Sequence, residues 1–75
     1  MDNQLITEIE LLGLFNLDSV QEGLKVHHDA EPEKVAAMSR LFEKGFVSQV
    51  DGGYLTDRGI EAAEHVGRVV SLLKS

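Results

Sequence analysis

Cysteine is absent from this chain of 75 residues. Disulfides, thiolate metal sites and thiol nucleophiles are therefore excluded. Tryptophan is also missing, and proline occurs once, at Pro32. No apolar run approaches the roughly 18–20 residues that cross a bilayer, so no membrane partner is expected. The opening Met1-Asp2-Asn3-Gln4 has no basic segment ahead of an apolar stretch. It does not read as a signal peptide, and a cytoplasmic location is the expectation. Repeats and low-complexity segments are lacking too.

Hydrophobic residues make up 43% of the chain, enough for a core and too many for a disordered tail. The length suits one domain, residues 1–75. A chain this short buries only about 60% of the surface it exposes when unfolded, so its stability is marginal. With no disulfide or thiolate metal site to help, it must be a well-packed monomer or an oligomer.

The net charge is −6, and it is unevenly placed. Residues 1–31 hold seven acids (Asp2, Glu8, Glu10, Asp18, Glu22, Asp29, Glu31) against one base, Lys25. Residues 32–75 hold six of each sign, so the whole excess lies in the first part. Binding to nucleic acid leans on cationic contacts to phosphate, and this balance works against it unless a local basic face forms.

Leu5, Ile6, Ile9, Leu12 and Phe15 recur at steps of three and four, which places them on one helical face. Glu8 and Glu10 fall largely on the other side, and a helix over 3–15 is expected. Ser19 with Glu22 fits a capping box, so a short helix over 19–28 follows. The competing reading is an extended Leu24-Lys25-Val26-His27-His28, which alternates with period two. Glu31 can cap a third helix, and Pro32 suits its first position, where a missing N–H costs nothing. Val35, Met38, Leu41 and Phe42 supply its apolar face, and Gly45 can take the left-handed conformation that ends it, giving 32–44. Phe46 to Val50 is β-prone, Asp51-Gly52-Gly53 is tight-turn chemistry, and Tyr54-Leu55 returns a hairpin. Thr56 can then cap a final helix over 57–73, with Ile60, Ala63, Val66, Val70 and Leu73 as its stripe and Val69 and Leu72 beside it. The expected class is α+β.

Arg40-Leu41-Phe42-Glu43-Lys44-Gly45-Phe46-Val47, followed by Asp51-Gly52-Gly53-Tyr54-Leu55-Thr56-Asp57-Arg58-Gly59, resembles the recognition helix, wing and final-helix junction of MarR- and PadR-like winged-helix regulators. The whole chain is also similar to a small family of uncharacterised bacterial proteins of this length, some described as DNA-binding. The resemblance implies a winged helix-turn-helix with a two-stranded wing hairpin and flanking N- and C-terminal helices. It differs in one detail: Tyr54 directly precedes Leu55, one residue tighter than the usual pattern.

If such a domain reads DNA, helix 32–44 enters the major groove. Glu33, Lys34, Ala37, Arg40 and Lys44 are then expected on the face opposite the core, and Arg58 and Arg68 on the last helix can lie near a DNA backbone. Lys34, Arg40, Lys44 and Arg58 are the candidate DNA contacts, with Arg40 and Lys34 able to meet guanine edges or phosphates. Against this, Asp29, Glu31 and Glu33 crowd the N-terminal end of that helix, and the wing carries no cation. Any binding is expected to be weak and steeply salt-sensitive, with Arg40→Ala costing more than Lys74→Ala.

No catalytic constellation is found. No serine lies in a Gly-x-Ser-x-Gly elbow, and Gly52-Gly53 lacks the P-loop context. His27, His28 and His65 have no chelating spacing, so neither a metal nor a cofactor is expected. Two readings remain: a non-catalytic winged-helix module for DNA or transcriptional regulation, or the same fold used for protein contact, with the acidic first third facing a basic partner. Two arrangements of the terminal helices stay open: a homodimer formed through them, as the resemblance to MarR-like regulators also implies, or a monomer in which helix 1 packs along the last helix and completes the core.

Overall fold

The computed structural model describes residues 1–19 and 21–75. Its elements run α1 (Asn3–Leu14), β1 (Leu24–Lys25), α2 (Pro32–Glu43), β2 (Val47–Gln49), β3 (Gly52–Leu55) and α3 (Asp57–Lys74). The strands form one antiparallel sheet in the order β1-β3-β2. The class is α+β, as expected, but the sheet has three strands where a two-stranded hairpin was anticipated.

Each helix begins where a side chain or a proline deals with free backbone N–H groups. The Asp2 carboxylate accepts from the Leu5 N–H at 2.8 Å and opens α1. Pro32 opens α2, while Glu31 occupies the cap position without the side-chain hydrogen bond expected of it. Thr56 caps α3 through its hydroxyl, which accepts from the Gly59 N–H at 3.1 Å. At the other end of α2, Gly45 sits at φ +86°. Its N–H reaches the Phe42 carbonyl and the Phe46 N–H reaches the Leu41 carbonyl, the paired bonds of a glycine-terminated helix.

The expected helix over 19–28 is not formed. Among its described residues, Glu22 closes a turn onto the Ser19 carbonyl, and Leu24–Lys25 is a strand paired with Gly53 and Gly52. Val20 lies outside the described residues. The Glu22 carboxylate accepts from the Asn16 amide instead of closing a capping box. The alternating reading prevails because β3 offers this segment a bare backbone. A Cβ on Gly52 would collide with the Leu24 carbonyl, so only glycine lets the strands approach this closely. No second helix is joined to α2 by a short turn among the described residues. The hairpin tip also shifts: Val50–Asp51 make the turn, and Gly52 and Gly53 spend their positive φ (127° and 75°) inside β3.

The core joins Leu11, Leu12 and Phe15 of α1 and its C-terminal flank to Ala37, Met38 and Leu41 of α2 and Val47 of β2. Leu24, Val26, Phe46, Leu55, Ala62 and Val66 pack around it. Two apolar faces are therefore rotated from expectation. On α1, Leu5, Ile6 and Ile9 stay substantially exposed while Leu11 is buried; on α2, Ala37 is buried while Phe42 is exposed.

Gly59 is enclosed where α3 starts against the sheet: a Cβ there would run into the Phe46 carbonyl and press on Leu55. Gly67, two turns further on, has nothing near it. The same substitution should therefore act in opposite directions on one helix. Gly59→Ala is expected to destabilise by about 1–3 kcal/mol through overpacking, and Gly67→Ala to stabilise by about 0.5–1 kcal/mol through helix propensity. Urea midpoints of the two variants check this, and a stabilised Gly59→Ala would contradict the packing described.

Candidate functional site

The four cations expected to contact DNA do not share a face. Arg40 and Lys44 are one helical turn apart on α2 and both turn toward α1. The Glu8 carboxylate of α1 accepts from Arg40 Nε at 2.9 Å through one oxygen and from Lys44 Nζ through the other. Arg40 Nη2 also donates to the Gln4 carbonyl at 3.4 Å. Lys34 stands apart at the start of α2, exposed beside a shallow groove with Glu10 and Leu14. Arg58 lies with its guanidinium 4.8 Å above the centre of the Phe46 ring, within cation–π range. The structure thus brings two of the four together, through an acid that the helical pattern placed on the solvated side.

Glu8 is that acid, and its side chain is only 7% exposed. Burial pushes its pKa up, but the hydrogen bonds and charges of Lys44 and Arg40 outweigh burial and hold it below the usual carboxylate value. A buried carboxylate without partners would be costly; here both oxygens are satisfied. Among the described residues no buried side-chain polar atom lacks a partner. A signal for this role was available: Glu8, Leu11, Leu12 and Phe15 follow one another at helical spacing, and Arg40 and Lys44 stand at the i,i+4 spacing that lets two side chains reach one point.

With Ala37 buried and Arg40 and Lys44 facing α1, the outer face of α2 carries Pro32, Glu33, Ala36 and Glu43, all exposed. Arg40 lies between Ala36 and Glu33 around the helix and borders the same groove as both, so a cation stands among these acids. Asp29 and Glu31 are exposed just ahead of α2. At the hairpin turn, Asp51 pairs with Lys25 of β1 at 3.6 Å. His27 and His28 line a groove of about 570 Å³ whose apolar lining includes Val26, Val35, Met38 and Val50. No group of three potential metal ligands occurs among the described residues. No helix among them is long and apolar enough to cross a membrane.

These features define a small α+β domain whose helices are pinned by one internal ion cluster. The chain belongs to a family of unknown function, DUF5669, whose model matches residues 1–74. No curated protein and no solved structure matches it.

Glu8 titrates with a depressed pKa in the folded state, so its contribution to stability is present above the unfolded carboxylate value and fades as pH falls through the lower folded one. Glu8→Gln should be less stable than the native chain at pH 7, and the gap should narrow as pH drops below about 4. Urea titrations of both proteins across this range test the assignment. A gap independent of pH would show that Glu8 does not act as a charged bridge.

Proposed function

We propose that this chain is a non-catalytic, winged-helix-like module that works through protein contact, with a second copy engaged by its terminal helices. One observation carries the reading. The apolar stripe of α3 does not end where the core ends: Ala63 is buried and Val66 half-buried, yet Val69, Val70 and Leu73 continue the same face at 55%, 42% and 81% exposure. Val66 also lies against Gly13 of α1, where a Cβ would sit 3.6 Å from its methyl group. Beside that meeting point α1 leaves Leu5, Ile6 and Ile9 substantially exposed. Contiguous exposed apolar surface on two helices is the usual mark of an interface.

Charge supports a self-complementary arrangement. Glu10 is exposed on α1 and Asp2 at its N-cap, while Lys74 lies in the last turn of α3. A two-fold pairing that lays α3 of each copy on α1 of the other sets opposite charges together, as an isologous interface requires. The winged-helix-like reading draws on the order of α2, hairpin and α3, and on a first strand that joins the hairpin. DNA binding has less support, because two of the four cations it needs are engaged by Glu8.

Sedimentation over a concentration series should reveal a monomer–dimer equilibrium. Val70→Glu should remain folded, since that site is 42% exposed in one chain, and should associate roughly a hundredfold more weakly, as burying an unpaired carboxylate costs ~3 kcal/mol or more. A native chain that stays monomeric at the highest concentrations, or a Val70→Glu variant that dimerises unchanged, would overturn the proposal.

A further inference from the structure

The ion cluster between α1 and α2 is unbalanced. Arg40 of α2 and Lys44 at its C-cap meet one carboxylate of α1, so the site keeps a net positive charge with Glu8 in place. The burial is unequal as well: the Glu8 side chain is 7% exposed, against 26% for Arg40 and 43% for Lys44. All side-chain hydrogen bonds of the two cations, among the described residues, go to α1. A carboxylate and a phosphate offer the same kind of paired anionic oxygens to an arginine and a lysine. Glu8 thus occupies a place that a phosphate oxygen pair would fit.

The segment that supplies Glu8 is held lightly. The buried apolar residues of α1 and its flank, Leu11, Leu12 and Phe15, all lie beyond Glu8, and residues 3–6 are exposed. The first turns of α1 are held by the polar contacts of Gln4 and Glu8 and by Leu5, Ile6 and Ile9, which are 42%, 39% and 36% exposed, with no fully buried apolar residue ahead of Leu11 to oppose a local opening. We propose that Arg40 and Lys44 form a latent site for a phosphate group, closed by Glu8, and that lifting the start of α1 exchanges the internal carboxylate for the external anion. The inference goes beyond the association surface of α1 and α3 and does not depend on it.

Glu8→Gln opens the site, and Glu10→Gln removes an equal charge from an exposed position nearby. Both are tested with inorganic phosphate, followed by NMR, and with a fluorescent mixed-sequence DNA duplex, followed by anisotropy. Glu8→Gln should bind phosphate saturably, Glu10→Gln should behave as the native chain, and adding Arg40→Gln to Glu8→Gln should abolish the gain. If the natural source is a nucleic-acid backbone, Glu8→Gln also binds the duplex, with an affinity that falls about three- to fourfold between ~50 and ~200 mM salt, as one neutralised phosphate requires. Binding of phosphate without the duplex assigns the site to a small phosphorylated ligand. Equal behaviour of Glu8→Gln and Glu10→Gln overturns the proposal. Should circular dichroism find Glu8→Gln unfolded, the native chain decides: at high phosphate the Gln4 and Glu8 amides and Arg40 Nε must shift together, and their failure to move overturns the proposal equally.

Discussion

Thr56 and the backbone around it form the joint on which the rest of the structure depends. Its hydroxyl donates to the Gly45 carbonyl at 2.6 Å and accepts from the Gly59 N–H, while its own N–H donates to the Phe46 carbonyl at 3.1 Å. The end of α2, the start of the hairpin and the start of α3 are thereby fastened within a few residues. Each bond is worth only about 0.5–1.5 kcal/mol net. Their value is geometric, because they fix the angle at which α3 leaves the sheet and so decide which of its residues meet α1. The close seat of Gly59 against the Phe46 carbonyl belongs to the same joint.

From that joint the two helices are directed by different forces. α3 meets α1 through apolar contact along Ala63 and Val66, which tolerates sliding. α2 meets α1 through Glu8, whose two oxygens each have a separate partner and permit one register only. A buried charge cluster seldom adds stability compared with an apolar pair, but breaking it is costly, and that asymmetry gives orientation. The result is a helix whose N-terminal half is placed by electrostatics and whose C-terminal half is placed by Leu11, Leu12 and Phe15.

Much of the fold was legible from periodicity and punctuation. The extents of α1, α2 and α3 follow from apolar spacing with Pro32, Gly45 and Thr56 as boundary marks, and these signals are local. What was not legible depends on partners remote in sequence. Leu24–Lys25 is a strand because Gly52 and Gly53 lie open to receive it; the local alternation of 24–28 allows a strand, but only that distant partner decides against the capping-box helix. The buried face of α2 was misjudged because Phe42 outweighs Ala37 as an apolar marker, although a small residue is what lets two helices approach. Arg40 and Lys44 reach Glu8 for the same reason, since they lie on the side of α2 that carries the buried Ala37. Glu8 itself could have been noticed as a polar residue in line with Leu11, Leu12 and Phe15.

The sheet is a stub, and this bears on how the molecule behaves in a crowded solution. β1 has two residues and β2 three, and these are the two edges of the sheet. On β2 the register slips between Val47 and Gln49, and the Tyr54 N–H donates to the Ser48 hydroxyl at 2.9 Å, bonding to a side chain in place of the ladder. On β1 the exposed side is marked by Lys25. Short, kinked and charged edges give a neighbouring strand little to align with, and so guard against the edge-to-edge pairing that leads to fibres. The sheet thus offers little strand edge, and Leu5, Ile6, Val69 and Leu73 place bare apolar surface on the helices instead.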